Sequence, residues 1–533
     1  MYGFDNLTFT KGFDEYNLTN ARQNNYAWAI SDLNEHVYVA TGRNILVNIL
    51  RSTGVFTKMP LSLQPTNQDN YGEIWRYRKY HDIPWQRAFK ISEVFESDSC
   101  DLLGFSYMIC HRPYNGYGAL YAVSASLNNS LVIYKTVSGV DWRPVIDYDQ
   151  TGQKIKGNIS RAMISKDGRI YLATVDNLYG ENEETYLYSS EDPEFYPWKL
   201  ETRSCQYENY DRNKNPRGGI TAMVEFNNRI YVGTSTPYGA QIWRTNKEKP
   251  CVNDWTLVGC SGFGDEANRH ITSMGVFNNS LYVGLAKPIP LAWIFPMGCD
   301  IAKICKCDTW EIVVGSNPIK STCIRNRSNS QQFGSGFNNP FNIYASQIKE
   351  YEGMLYITTF DNAVNIQATL GLILANIENV KEILGTPITG KIINIYKHII
   401  YYIEAMRYQF GFDLYTSCDG YRYKLISCNG IARRCGRGRF AGISLYEDLE
   451  GDLYLGTANA YQGCEVLKYT GEPYGQEERK GEFAIGRCYD YDRCMEEKLY
   501  EIYDYLYELL EEPLYYLRCH WYEIMNNMNK FKC

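Results

Sequence analysis

Much that would declare a chemistry is missing from this 533-residue chain. Positive charge is not in excess: 54 Lys and Arg stand against 61 Asp and Glu, a formal net charge of −7. Without a basic field, no nucleic-acid partner is expected. There is no uncharged apolar run of the ~18 residues that a spanning helix needs, so no transmembrane segment is expected. The opening residues, MYGFDNLTFTKGFDEY, hold neither a basic stretch nor an apolar core of the kind a Sec signal peptide carries. The expectation is a cytoplasmic protein, or one assembled without such a signal. The 17 cysteines scatter from Cys100 to Cys533 without the paired CxxC…CxxC form of a zinc site; Cys305 with Cys307 and Cys488 with Cys494 are close but isolated. Most are therefore expected to be reduced, packed thiols. No EF-hand-like spacing is present either, so neither a metal nor a cofactor is expected.

Tyrosine, by contrast, is abundant, at 47 against 21 Phe. A ring to pack and a hydroxyl to keep wet suit pleated, half-exposed strands. The tyrosines also recur in a phrase: NNRIYVGT (227–234), NNSLYVGL (278–285), DGRIYLAT (167–174), EGMLYITT (352–359), EGDLYLGT (450–457) and NEHVYVAT (34–41). Each reads as a turn followed by a strand alternating about an anchor, namely Tyr231, Tyr282, Tyr171, Tyr356, Tyr454 and Tyr38. Tyr121 in GALYAVS is a weaker seventh. A short strand of small residues and Met precedes each anchor. A third strand follows it, and then a fourth marked by an aromatic: Trp85, Trp142, Trp198, Trp255, Trp310 or Tyr423. Five of the ten tryptophans thus share one repeat position, which makes the repeat hard to ascribe to chance. Four strands per unit of roughly 45–60 residues describe a β-propeller blade.

The reading is an all-β chain: a seven-bladed propeller over 25–471, closed by an N-terminal strand within 1–24. The last unit lacks a fourth strand after EVLKYTG, and Leu7–Asn17 is expected to supply it, which removes a free sheet edge. Within the sixth unit, 366–410 interrupts the strands with two apolar-periodic stretches. Gly385-Thr-Pro-Ile-Thr-Gly390 separates them, so a helical hairpin is expected. Residues 472–533 turn to helix composition, with Leu499, Ile502, Leu506 and Leu509 on one face. These helices and the insertion are the candidate surfaces for a protein partner or self-association.

The turn TSCDGYRYKL (416–425) resembles the Asp-box turn of sialidase-type propellers, and SSEDPEFYPW is a looser version. Roughly 7–470 resembles uncharacterised bacterial seven-bladed propeller repeat proteins, with the fourth and fifth units matching best. The resemblance implies a fold and no settled activity, and Asp boxes themselves are structural turns.

In a propeller the loops entering each innermost strand converge on one channel mouth, where ligands are expected. GFGDEANRHITSM (262–274) is such a loop. Arg217, Arg269 and Arg439 hold nearly one register in their loops, with Arg161 deeper and Arg22 earlier. Guanidiniums gathered at a mouth would bind a carboxylate, sulfate or phosphate, so an anionic small molecule or glycan is the expected ligand. His270 is the candidate acid or base. Asn268 and Asn342 recur after Gly-Phe and are candidates for ligand binding or, as repeated residues, for the turn itself. The same loop phrase recurs in part at Gly12, Phe13, Asp14 and Asn17. The leading functional expectation is a non-catalytic binding or scaffold protein. The alternatives are a glycosidase-like hydrolase or lyase at the mouth, and a self-assembling coat protein using Tyr-rich surfaces and Cys crosslinks.

Overall fold

A computed structural model describes residues 3–471 apart from 53, 61–62, 64–70, 82, 92–101, 127–129, 177–183, 203–209, 289–290, 295, 406 and 433–437. The C-terminal stretch expected to be helical, 472–533, lies outside the described residues.

The chain enters through β1 (Phe4–Asn6) and α1 (Leu18–Gln23). It then builds antiparallel groups of four strands. β2 (Asn24–Leu33), β3 (His36–Arg43), β4 (Glu73–Arg78) and β5 (Gln86–Lys90) form one group, with α2 (Ile45–Ser52) between β3 and β4. β6 (Leu102–His111), β7 (Ala119–Ser126), β8 (Ile133–Thr136) and β9 (Arg143–Pro144) form the next. β10 (Ile159–Lys166), β11 (Arg169–Val175), β12 (Tyr186–Ser190) and β13 (Lys199–Leu200) are a separate sheet, as are β14 (Gly219–Phe226), β15 (Arg229–Ser235), β16 (Gln241–Thr245) and β17 (Trp255–Val258). β18 (His270–Phe277), β19 (Ser280–Ala286), β20 (Asp300–Cys305) and β21 (Trp310–Val314) follow, with α3 (Leu291–Ile294) after β19. β22 (Asn342–Tyr351) and β23 (Met354–Asp361) are joined to β24 (Leu414–Ser417) and β25 (Lys424–Ser427) through helices. β26 (Ala441–Glu447), β27 (Leu453–Ala458) and β28 (Val466–Tyr469) take β1 as their fourth strand.

The first strands neighbour one another in the order β2, β6, β10, β14, β18, β22, β26 and back to β2, so the groups are blades of a β-propeller. Each of these inner strands carries a bulge at an equivalent place, with Trp28, Ser106, Arg161, Thr221, Thr272, Ser346 and Ile443 as the extra residue, and β2, β6 and β22 carry a second one nearer their start. A bulge interrupts the ladder and bends the strand. Next to several of these bulges, a carbonyl accepts from the preceding blade. Thr221 Oγ1 donates to Ile271 O at 2.8 Å and Thr272 Oγ1 to Ala345 O at 2.8 Å. Gln347 Nε2 donates to Ile443 O at 2.9 Å, and Ser444 Oγ to Ala27 O at 2.7 Å, which joins the last blade to the first.

The anchor tyrosines explain their own recurrence. Tyr38, Tyr121, Tyr171, Tyr231, Tyr282 and Tyr454 are all nearly fully buried. Burying one such ring contributes about 1.5–3 kcal/mol. The hydroxyl then reaches the outer turn of the following blade: Tyr121 donates to Asp192 at 2.9 Å and Tyr231 to Asp308 at 3.1 Å. Where the turn offers glycine, the hydroxyl fills the space of the missing side chain. A Cβ on Gly139 would lie 1.8 Å from the Tyr38 hydroxyl, and one on Gly420 1.8 Å from that of Tyr282. The aromatics at the fourth-strand position sit at the start of that strand; Trp85, Trp142, Trp198, Trp255 and Tyr423 are buried.

Two expectations need correction, and the cysteines add detail. The closing strand is Phe4–Asn6, in register Phe4 with Tyr469, and not Leu7–Asn17. The later stretch resembled the joint between blades, which comes after the fourth strand, so its match pointed a few residues too late. The insertion is three helices, α4 (Ile366–Ala375), α5 (Ile377–Leu384) and α6 (Thr386–Ala405). Gly385 alone is the break before α6, with φ +79°. Pro387 sits in the first turn of α6, where its missing N–H removes no helical bond. Among the cysteines, Cys260 pairs with Cys323 and Cys305 with Cys307 as disulfides. Cys299, Cys428 and Cys464 are buried free thiols, while Cys251 and Cys418 are free and exposed.

Candidate functional site

The loop that looked most like a site is a joint. Asn268 is fully buried; its Nδ2 donates to Gly262 O at 3.1 Å and to Asp300 Oδ2 at 2.9 Å. Asn342 repeats this, donating to Gly336 O at 3.0 Å and Asp413 Oδ2 at 2.7 Å. The third copy is Asn24, which donates to Gly12 O at 2.9 Å and Glu73 Oε2 at 3.0 Å. Asn17, expected in that role, instead caps α1 by accepting from Asn20 N. Asn24, Asn268 and Asn342 each lie fourteen residues before their anchor tyrosine, a signal present in the sequence that matching after Gly-Phe overlooked. The preceding Gly-Phe pairs are left-handed at both residues: Gly262 and Phe263 have φ +66° and +50°, Gly336 and Phe337 +65° and +59°. Each Phe is buried on an outer-strand aromatic, Phe263 against Trp310 and Phe337 against Tyr423, and Phe337 also stacks on Tyr415.

The charges of this joint neutralise one another. Lys287 Nζ lies 3.1 Å from Asp265, 3.0 Å from Asp300 and 2.6 Å from Asn268 Oδ1, and Arg325 lies 2.8 Å from Asp300. Burial opposes ionisation of Asp300, but Lys287 and Arg325 overcome it and hold the carboxyl well below its ordinary range.

The candidate arginines find different partners. Arg439 forks onto Glu465 at 2.7 and 2.8 Å, and its Nη1 donates to Gly430 O and Ile431 O. Arg217 is spent on its own loop, donating to Arg212 O at 3.1 Å and Asn213 Oδ1 at 2.7 Å. Arg22 donates to Tyr461 O at 3.1 Å. Arg161 is the bulge residue of β10; burial lowers its pKa, while the phenols of Tyr344 and Tyr26 act in the opposite sense. Arg269 is partly buried, with its Nε enclosed and no hydrogen-bond partner for it among the described residues. His270 is buried as the first residue of β18, paired with Ala286.

The face on which these loops open is covered. α2, α3 and the segment after β23 pack Ile45, Ile49, Ala292 and Val364 onto Tyr26, Ile343, Phe360 and Phe440 in one apolar cluster. A second cluster joins Val55 and Phe341 to α4, α5 and α6. Apolar contacts between these helices and the inner strands therefore occupy the face that sequence reasoning read as a polar mouth. α2 was not foreseen, because its eight residues sit in a loop between two strands.

The opposite face is open. A cavity of about 1600 Å³ is lined by the second halves of inner strands and by the hairpins that follow them. Trp28 is at its inner end, and Ile30, Tyr107, Met108, Ile164, Met223, Leu445 and Tyr446 contribute to its wall. Polar groups sit toward the strand ends: Asp32, Glu35, Arg112, Glu225, Lys349 and Glu450. At the rim Lys79 is held by three carboxylates. Its Nζ lies 2.9 Å from Asp32 and 2.9 Å from Asp448, and it also pairs with Glu450. Tyr446 donates to Asp32 at 2.6 Å. Burial disfavours the charge on Lys79, yet hydrogen bonds to Glu450, Asp32 and Asp448 raise its pKa above the ordinary value. The carboxylates converge closely enough to hold a cation, and the lysine ammonium is the cation they hold.

Among the described residues, no helix is long and apolar enough to cross a membrane. No protein-family model and no curated protein matches the chain. Several solved structures resemble it. The BP39L lectin from Burkholderia pseudomallei is 8% identical, covers 83% of this chain and 98% of its own, and superposes with a TM-score of 0.39. The β-propeller domain of the Trilobed protease from Pyrococcus furiosus is 8% identical over 84% of this chain and 96% of its own, at 0.37. A protein of unknown function from Dyadobacter fermentans is 11% identical over 68% and 95%, at 0.35. Similarity at this level bears on neither ligand nor reaction.

Proposed function

We propose that the chain is a seven-bladed propeller acting as a non-catalytic binding protein, with its ligand in the open cavity rather than at the helix-covered face. On this reading the helices of 366–405 are an insertion in the sixth blade that closes one end of the ring. The turn at 416–425 is an Asp-box-like brace: Asp419 accepts from the backbone N–H groups of Tyr421 and Arg422, and Ser417 Oγ accepts from Gly420 N. The observation that carries the reading is the cavity itself, about 1600 Å³ with an apolar wall and polar groups near its opening, the usual composition of a recognition site. An anion site at the covered face is the weaker reading, because Arg439 and Arg217 are engaged by the protein.

Gly118→Trp tests this. Gly118 lines the cavity, and a Cβ there meets only Cys110 Sγ, at 3.8 Å, so an indole can enter the cavity without displacing backbone. The full chain and the variant are screened on a glycan array and a random heptapeptide library. Ligands held by the wild type and lost by Gly118→Trp support the proposal. Ligands held equally by both place binding elsewhere and overturn it.

A further inference from the structure

The rim of the cavity displays apolar side chains with no packing role. Tyr117 and Leu449 line the opening and are 88% and 90% exposed. Val137 lines it too, and Tyr114 is exposed in the same hairpin as Tyr117. Single exposed apolar residues are ordinary, but several on the turns of one face beside a cavity mark a contact surface.

The charge beside this collar is unbalanced. Asp32, Asp448 and Glu450 bring three negative charges to the single positive charge of Lys79. Asp32 and Asp448 are buried, while the Glu450 side chain is 47% exposed and lines the cavity. Among the other lining charges, Glu35 is matched by Arg78 at 2.8 Å and Lys349 by Glu447 at 3.1 Å, while Glu225 at 3.0 Å shares Lys166 with Asp167 at 2.8 Å. Arg112, also at the rim, donates only to Gly116 O among the contacts described, at 3.4 Å. The largest surplus is thus negative, three carboxylates on Lys79, and Glu450 carries it to the opening. Cavities for small ligands usually measure about 300–1,000 Å³, and this one is larger.

Resting on the proposal that the cavity is the binding site, we infer that its occupant is a polypeptide segment of a partner protein. The segment places a lysine or arginine side chain against Glu450 and lays apolar neighbours on Tyr117, Val137 and Leu449. The cation completes the charge that Lys79 leaves unmatched, and the apolar collar excludes water from the pair, which strengthens it.

The test pans a random heptapeptide display library on the full chain, on Gly118→Trp, on Glu450→Gln and on the collar variant Leu449→Glu with Tyr117→Glu. Glu450 and both collar residues are substantially exposed, so these substitutions leave the fold intact, which a thermal melt checks. The expected result is enrichment of peptides with Lys or Arg beside an aromatic or aliphatic residue. Their binding falls at least tenfold in Glu450→Gln and in the collar variant, and is lost in Gly118→Trp. Peptides that bind in the cavity with no basic preference and are indifferent to Glu450→Gln overturn the inference and leave the cavity as a binding site. So do glycans that bind wild type but not Gly118→Trp when no peptide does. Peptides and glycans that all bind Gly118→Trp as well as wild type overturn the cavity proposal itself, and the inference with it.

Discussion

The Asn268 amide donates to the Asp300 carboxylate at 2.9 Å, linking the loop that enters one blade's inner strand to the start of that blade's third strand. The equivalent contacts of Asn24 with Glu73 and Asn342 with Asp413 make this a repeated brace. Asn268→Ala is expected to lower stability by about 2–3 kcal/mol, since it leaves Asp300, Lys287 and a backbone carbonyl short of a partner in a buried site. Asn342→Ala should cost a similar amount. Chemical denaturation measures both; an unchanged unfolding midpoint in either variant would contradict a bracing role.

Gly420 and Tyr282 allow a cleaner test of the tyrosine anchors. Gly420 has φ +76°, and any Cβ would overlap the Tyr282 hydroxyl. Gly420→Ala should destabilise by about 2 kcal/mol or more, from backbone strain and overpacking together. Adding Tyr282→Phe removes the clashing oxygen, so the double variant should regain part of the loss. A double-mutant cycle on unfolding free energies would show this as a favourable coupling; strict additivity would mean that the two residues do not meet.

Arg439 and Glu465 form a forked pair with side chains 11% and 2% exposed. Arg439→Ala leaves the carboxylate buried with much of its partner gone, and about 3–5 kcal/mol of stability should go with it. Burial raises the Glu465 pKa while Arg439 lowers it further, so the net shift is downward. The pair's contribution is present above the ordinary glutamate range and is lost as pH falls through the depressed folded value. The stability gap between wild type and variant should therefore narrow on acidification, as followed by urea unfolding from pH 7 down to pH 3.

Asp361 should act with the opposite sign. Burial, reinforced by Asp413 and opposed by the Gly411 and Ala363 N–H groups, pushes its pKa up to about 8. The unfolded carboxyl titrates near ~3.9, so between these values the folded state keeps a proton that the unfolded state has lost. Its contribution is full below the unfolded value and declines as pH rises toward 8, by at most ~1.4 kcal/mol per pH unit. Asp361→Asn removes that slope. The two carboxylate oxygens accept from Ala363 N and Gly411 N, at the two ends of the inserted helices, so the pH effect should concentrate there. Hydrogen exchange across 366–405 from pH 5 to pH 8 measures it; equal pH dependence in wild type and Asp361→Asn would refute the assignment.

Repetition made the blades legible. A tyrosine that must reach the next blade, and a tryptophan that opens five of the outer strands, recur because each blade solves the same packing problem. The same repetition exposed Asn268 and Asn342 as parts of a joint. Sequence order misled where an element is short or an insertion shifts the spacing. Phe4–Asn6 is only three residues, and α1 separates Gly12-Phe13 from Asn24, so the joint's third asparagine hid behind Asn17.

What the sequence determined by itself was local and periodic: alternating strands about buried tyrosines, tight turns, and the apolar stretches of an insertion. Those follow from side-chain spacing and backbone geometry, which neighbouring residues encode. Only the tertiary structure decided which end of the channel is open. That depends on where α2, α3 and the inserted helices pack after leaving distant blades, and on Glu465 meeting Arg439 and Glu450 meeting Lys79 across loops. Arginines that share a register in sequence differ in space by the partner each one finds.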